Sequence, residues 1–512
     1  TASKSSANRP FENTVKNLAI LDLKSPFGYG KISKKDVIFM LKTWSICGTV
    51  SPAEKKNRRL GIGLEKLDRN LYNPDSVFSE IGALGVGWVR IQSGWMRTEK
   101  EKGVYDFAWL DHIVDSLLAQ GVTPWMCLCY GNPIYSEEAK NVNGAIGVPP
   151  IFTAEEKAGW RNYVQKTAEH FSGRIRHWEV WNEPDCGCWR HGPNPIEYGE
   201  FVAETGRTLK AVNPENQVFA GSLTFGRLDY LSQMLSTGCW KYIDAITYHN
   251  YKARHFEDDI LGLVQDMKAL VDTYDPHIAI IQGEHGAPSR GDGRGGLSNF
   301  SWTEEKQAKY LSRAILTDLM SDVEFASYFT MVDIFENLEG EFVEINESNY
   351  GFYGLLREGF ENGKPNGVYT KKPSYRAVQT LVSLLSGDAE KTNAPIRFSY
   401  PEYASDIWQD VDNAYYIQND CRTIFQSFCR KNGSVGFVYW KATDVINMTY
   451  SSEVTIEAYR LPPEVRLINC LTGDIYEIPS DKIELRADGR ILLKNLPIYD
   501  YPLMVTFGSF TK

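Results

Sequence analysis

The nine residues Arg176-His177-Trp178-Glu179-Val180-Trp181-Asn182-Glu183-Pro184 change character half-way along. The first six, rich in aromatic and β-branched residues, predict a strand. The last three stop it: Pro184 has no amide hydrogen to continue a ladder and pushes Glu183 away from helical geometry, so the carboxylate stands at a strand end. Strict alternation would send Asn182 and Glu183 to opposite faces of the sheet. If both serve one site, the pleat must break here. Alone, Asn-Glu-Pro reads as a solvated turn, since short motifs recur by chance.

A second acid changes that reading. Ile278-Ala279-Ile280-Ile281-Gln282-Gly283 is a short apolar strand that runs into Glu284-His285-Gly286, again with a carboxylate just past the strand. Two carboxyls so placed suit glycoside hydrolysis, which needs a proton donor for the leaving oxygen and an anion at the anomeric carbon.

Between and around them, short apolar runs alternate with longer amphipathic ones, the pattern of a parallel α/β fold. Strands are expected at 60–63, 86–91, 123–129, 176–181, 217–222, 243–248, 278–282 and 325–331. Helices are expected at 107–120, 153–171, 195–212, 256–274 and 301–320, with Thr153 and Glu156 forming a capping box. Eight strands predict a (β/α)8 TIM barrel over 60–390, whose chemistry sits at the C-terminal strand ends. Long segments at 130–151, 286–300 and 332–372 should wall the cleft.

After a last helix at 373–385, short alternating strands with turns at Lys431-Asn432-Gly433, Thr472-Gly473-Asp474 and Ala487-Asp488-Gly489 predict an accessory β-sandwich over 391–512. Residues 1–59, with a strand at 36–41, are expected to contribute to that accessory domain.

A net charge of −10 and the lack of a long basic run speak against nucleic acid and anionic membranes as partners. No apolar stretch reaches the roughly twenty residues of a membrane span. The start, Thr1-Ala2-Ser3, reads as processed or recombinant, and a secreted or periplasmic enzyme is the expectation. The 28 tyrosines and 13 tryptophans include flat surfaces for sugar rings, although most must pack the core. Nine cysteines spread along the chain form no disulfide framework. Cys127 and Cys129 are expected to be buried packing, and Cys186 and Cys188 have no assigned role. No metal and no organic cofactor is implied, because carboxyls and water complete the chemistry.

Trp181-Asn182-Glu183-Pro184 and Gln282-Gly283-Glu284-His285-Gly286, with Trp88-Val89-Arg90-Ile91 and Tyr248-His249-Asn250-Tyr251, resemble the ordered signatures of glycoside hydrolase family 39, which includes β-xylosidases and α-L-iduronidases. The resemblance spans residues 60–390. It implies net retention, with Glu183 as acid/base and Glu284 as nucleophile. It further implies Arg90 as the cation and Tyr251 as a phenolic donor for Glu284, Asn182 on the sugar 2-hydroxyl and His249 on the sugar. Trp95, Asn132 and His285 are further candidates for the sugar subsite. The alternative for Arg90 is an internal structural ion pair, and Glu179 is expected to be a buried paired charge. Division of labour would follow from charge, with Glu183 kept protonated by Glu284.

The expected function is an exo-acting, retaining, β-xylosidase-like hydrolase of an oligo- or polysaccharide. An endo-acting or β-galactosidase-like enzyme of the same clan and a carbohydrate-binding barrel without turnover are the alternatives, because the motifs fix the reaction and not the sugar. Arg190, His191, Arg290 and Arg294, in loops near the mouth, leave an acidic sugar open. Oligomeric state is not legible.

Overall fold

Eight parallel strands close into a barrel: Asn57–Gly63, Val86–Gln92, Thr123–Leu128, His177–Val180, Gln217–Thr224, Ala245–His249, Ala279–His285 and Ala326–Tyr328. The computed structural model describes residues 41, 43–253, 256–298, 300–336, 344–399, 407–409, 415–417, 423–447 and 451–511. Closure is made by the first and eighth strands, with Leu60 opposite Ala326 and Ile62 opposite Tyr328. The strands are buried on both faces, which is why they read as nearly continuous apolar runs.

Helices Ala108–Ala119, Ala154–His170, Pro195–Val212, Phe256–Asp272 and Glu304–Met320 cover the barrel where amphipathic spacing predicts them. The Thr153–Glu156 capping box forms. Two more covering helices, Phe78–Leu84 and Leu228–Ser236, lie outside the expected set. Both are short, too short for a periodic pattern to stand out. The seventh strand also runs further than its apolar stretch, through Glu284, because Glu284 pairs with His249 of the sixth strand across a bulge.

Beside the barrel a seven-stranded and a four-stranded antiparallel sheet face each other. Phe437, Tyr439 and Val505 of the larger meet Ile456, Leu493 and Ile498 of the smaller in one apolar layer. Ile46–Thr49 is the edge strand of the larger sheet, paired with Asp474–Glu477. The strand expected at 36–41 lies, apart from Leu41, outside the described residues.

The seam between the two units is an apolar layer, in which Phe428, Val438 and Met504 of the larger sheet join the barrel's core, with an ionic cluster beside it. Lys309 and Arg313, on the helix after the seventh barrel strand, reach Asp500 at 3.0 Å and Glu257 at 2.6 Å, all four buried. Trp440 of the sandwich donates its indole N–H to the same Glu257, and Arg313 donates to the Thr443 carbonyl. Among the described residues no helix is long and apolar enough to cross a membrane.

Candidate active site

The fourth strand stops at Val180, and the next residues leave extended geometry: φ is 69° at Trp181 and 46° at Glu183, the left-handed region that side chains other than glycine seldom enter. This is the break in the pleat that lets Asn182 and Glu183 line one pocket. Packing holds it. Trp181 is wedged among Trp160, Trp189 and Phe201 and bonds its indole N–H to the Cys188 carbonyl at 2.8 Å. Backbone strain of this kind survives where its surroundings over-determine it.

Arg90, at the end of the second strand and fully buried, organises the floor. Its Nη1 donates to Glu284 Oε2 at 2.8 Å, its Nε to Glu179 Oε2 at 2.8 Å and its Nη2 to Asn182 Oδ1 at 2.8 Å. Arginine's fixed fork suits three anchored acceptors. Arg90 is thus both the cation beside Glu284 and an internal ion pair. Glu179 also accepts from the Ser222 and Thr247 hydroxyls, each at 2.7 Å, which completes its bonding and leaves it nothing to do with a sugar. Tyr251 donates its phenol to the other oxygen of Glu284 at 2.5 Å.

His249 lies between the two acids. Its Nδ1 is 2.9 Å from Glu183 Oε1 and 3.8 Å from Glu284 Oε2. One ligand-type atom from each of the three lies within 4.8 Å of the others. That approach is nearer the carboxyl separation of about 5–5.5 Å found in retaining glycosidases than the about 6.5–9.5 Å of inverting ones.

The charge assignment differs from the expectation. Burial would raise the Glu183 carboxyl, but the hydrogen bond and charge of His249, with Arg90, outweigh it and hold Glu183 below its usual range. Burial would lower His249, but Glu284 and the bond to Glu183 hold the imidazole above its usual value. The two shifts run in opposite directions, Glu183 held down and His249 held up, whereas Glu183 set against Glu284 alone would be pushed up. No local signal marks this, because the decisive partner is 66 residues away.

A third carboxyl, Glu65, follows the first strand. Burial and then the charge of Glu284 push it up to about 7. Thr330 turns its hydroxyl toward both the Gly63 carbonyl, at 2.8 Å, and Glu65 Oε2, at 3.0 Å, which opposes part of that rise.

The pocket over these groups measures ≈ 490 Å³. Tyr130 and Ile146, Gly295 and Gly296, and Glu336 and Tyr353 wall it from the three long segments. Lys66 and Arg69, from the segment after the first strand, add cations that the motifs do not announce; Lys66 is paired with Glu336 at 2.5 Å and Arg69 bonds Gln92 at 2.8 Å. Their position just past a strand end is the available signal. The opposite mouth holds a hollow of ≈ 360 Å³ against the stacked Trp88 and Phe325. That is the stabilising end of such barrels.

Four expected sugar contacts do not line the pocket, the first being His249, which is fully buried behind the two acids. Trp95 is fully buried, stacked on Tyr135 and Tyr163 with its N–H on Glu99 at 2.5 Å. Asn132 caps its own loop, donating to the Glu99 carbonyl and accepting from the Ile134 amide. His285 points from its strand toward Asp318, 3.6 Å away, and burial lowers it to about 3, so it stays neutral. Of the loop cations, His191 meets Glu197, Arg290 meets Asp292 and Glu347, and Arg294 bonds the Ser348 carbonyl. None of these, nor Arg190, lines the pocket. Cys127 and Cys129 are buried.

Comparison with known proteins agrees with this geometry. Residues 32–411 match the family model for glycosyl hydrolases family 39. A β-xylosidase of Geobacillus stearothermophilus is 24% identical over 339 residues, 58% of this chain and 62% of that enzyme, so the match spans less than two thirds of its length. Among solved structures, a family 39 glycoside hydrolase of Bacteroides cellulosilyticus WH2 superposes with a TM-score of 0.62 at 16% identity, covering 88% of this chain and 81% of that one. A monomeric β-xylosidase of Caulobacter crescentus CB15 gives 0.56 at 15%, covering 90% and 97%. At such identities the structures speak for the fold, while the family model covers most of the chain, site included, and by that match the chain belongs to glycosyl hydrolase family 39.

Proposed function

We infer that this protein is a retaining glycosidase that removes a terminal sugar from a β-linked glycan, with β-xyloside the nearest substrate class. The observation that carries this is the approach of Glu183 and Glu284 to within 4.8 Å at the open mouth of a barrel. In the first step a Glu284 oxygen attacks the anomeric carbon and the glycosidic oxygen leaves with the proton shared by Glu183 and His249. In the second, Glu183 takes a proton from water, the hydroxide oxygen joins the anomeric carbon and Glu284 is released as a carboxylate. Arg90 and Tyr251 hold Glu284 in line for attack. Asn182, fixed by Arg90, offers its amide N–H to the neighbouring ring hydroxyl, a bond that strengthens as charge develops.

The walled pocket favours action at a chain end over an open groove. The matched β-xylosidases favour a pentose. A glycan polymer as substrate favours a secreted or periplasmic enzyme.

An aryl-glycoside panel run with Glu284→Ala and Glu183→Ala tests the reading. External azide should restore turnover in the two variants with opposite product anomers. Binding across the panel without product release from the parent protein would mean a carbohydrate-binding barrel.

A further inference from the structure

Three side chains of the turn after the fourth strand converge on the pocket wall. Glu183 Oε2 lies 3.7 Å from Cys186 Sγ and 4.0 Å from Cys188 Sγ, and the three donor atoms are mutually within 4.8 Å. Both cysteines are free thiols, partly exposed, and both line the pocket. The reaction derived above uses neither sulfur.

The spacing has a chemical meaning. Around one tetrahedral ion, thiolates at about 2.3 Å and a carboxylate oxygen at about 2.0–2.2 Å lie roughly 3.5–3.8 Å from one another. The two distances from Glu183 come close to that before any ion binds. The other oxygen, Oε1, is held by His249 at 2.9 Å, as the outer partner of a ligating carboxylate commonly is. Two sulfur donors select borderline and soft cations such as zinc or cadmium over magnesium or calcium. A disulfide between Cys186 and Cys188 would leave the carboxylate out, whereas a metal uses all three groups.

We propose that Cys186, Cys188 and Glu183 form a site for a thiophilic divalent cation of the zinc type, and that its occupancy switches off turnover. Binding makes two sulfur–metal bonds and one oxygen–metal bond and releases the two thiol protons to solvent. The fourth position faces the pocket. Binding stands on the geometry alone; the loss of turnover also rests on Glu183 being the acid/base, because a metal-bound carboxylate cannot carry the proton.

The test titrates cobalt(II), whose thiolate charge-transfer absorption reports sulfur ligation, into the whole chain kept reduced with a phosphine. The expected result is a band that saturates at one ion per chain, is displaced by zinc, and disappears in the Cys186→Ser, Cys188→Ser double variant. Glu183→Gln should keep the band but weaken binding by more than the roughly 10- to 100-fold that an outer partner contributes. Zinc should inhibit glycoside turnover with the same saturation, and a chelator should restore it. The absence of a band, a band that survives the double variant, or unchanged binding in Glu183→Gln overturns the site. A cobalt band of the expected kind in a protein that turns over no glycoside supports the site and removes the hydrolase reading, so the two fail separately.

Discussion

At the seam with the sandwich, Lys309 and Arg313 meet the buried Asp500 and Glu257, with the exposed Glu305 also on Lys309 and carbonyl and indole partners around them. At the open mouth, Arg90 and His249 face four carboxyls, Glu65, Glu179, Glu183 and Glu284. Glu179 and Glu284 have a donor on each oxygen, but Glu65 Oε1 and His249 Nε2 have no hydrogen-bond partner among the described residues. Burying a polar atom without a partner costs about 1–3 kcal/mol. The four seam charges carry no such atom, though the Thr443 hydroxyl beside them does, while the mouth leaves an atom of its own charged cluster open, which distinguishes charge used to join two units from charge kept for an incoming group.

The sharpest way to break this contrast is Glu183→Gln. It should lower kcat on glycosides with poor leaving groups by about 10²–10⁴-fold, the range of a lost general acid. Steady-state rates that fall less than tenfold would put the proton donor elsewhere. At the seam, Asp500→Asn removes the buried counter-charge of Lys309 and should destabilise the protein by about 3–5 kcal/mol in denaturant unfolding, while KM of the folded enzyme holds. A loss of under about 1 kcal/mol would mean that the pair behaves like an exposed one.

Glu65→Gln should have the opposite sign. The folded value of about 7 lies above the ordinary carboxyl value, so the folded state holds the Glu65 proton more tightly than the unfolded chain does. Stability from that preference is present at low pH and is lost as pH rises through about 7. A glutamine, which mimics the protonated acid, should therefore stabilise the protein above neutrality by on the order of 3 kcal/mol and bring no gain in acid. A gain that ignores pH would contradict the buried neutral acid.

The smallest effect is a shift of a titration. His249 is held above its usual value by the two acids, and the shared proton is lost as pH rises, closing the alkaline limb of kcat/KM. In His249→Asn that limb should move to lower pH, since Glu183 must then hold the proton alone. An unmoved limb would remove His249 from the proton's path.

The barrel is legible in the sequence because its signals are local. The helix Pro195–Val212 starts and stops where its residues say, with Asn194 accepting from the Ile196 and Glu197 amides and proline in the first turn. Glu183 and Glu284 are legible for the same reason, as acids at the ends of apolar strands. Pairing across distance is what a linear reading lacks. Glu65 and Thr330 are 265 residues apart, and nothing in Gly63-Leu64-Glu65-Lys66 announces a protonated acid. Trp95 fails as a sugar contact because the turn at Gly94, φ 61°, sends the next residues into a short helix that packs inward, a change of direction a strand pattern does not foretell.

The most direct measurement is to trap the intermediate. A glycoside whose ring hydroxyl beside the anomeric carbon is replaced by fluorine, with a good leaving group, should slow release of the glycosyl-enzyme enough for peptide mapping. The sugar should be found as an ester on Glu284, in the peptide that contains Ile281-Gln282-Gly283-Glu284-His285. A label on Glu183 or Glu65, or release of product of inverted configuration with no label at all, would contradict the account.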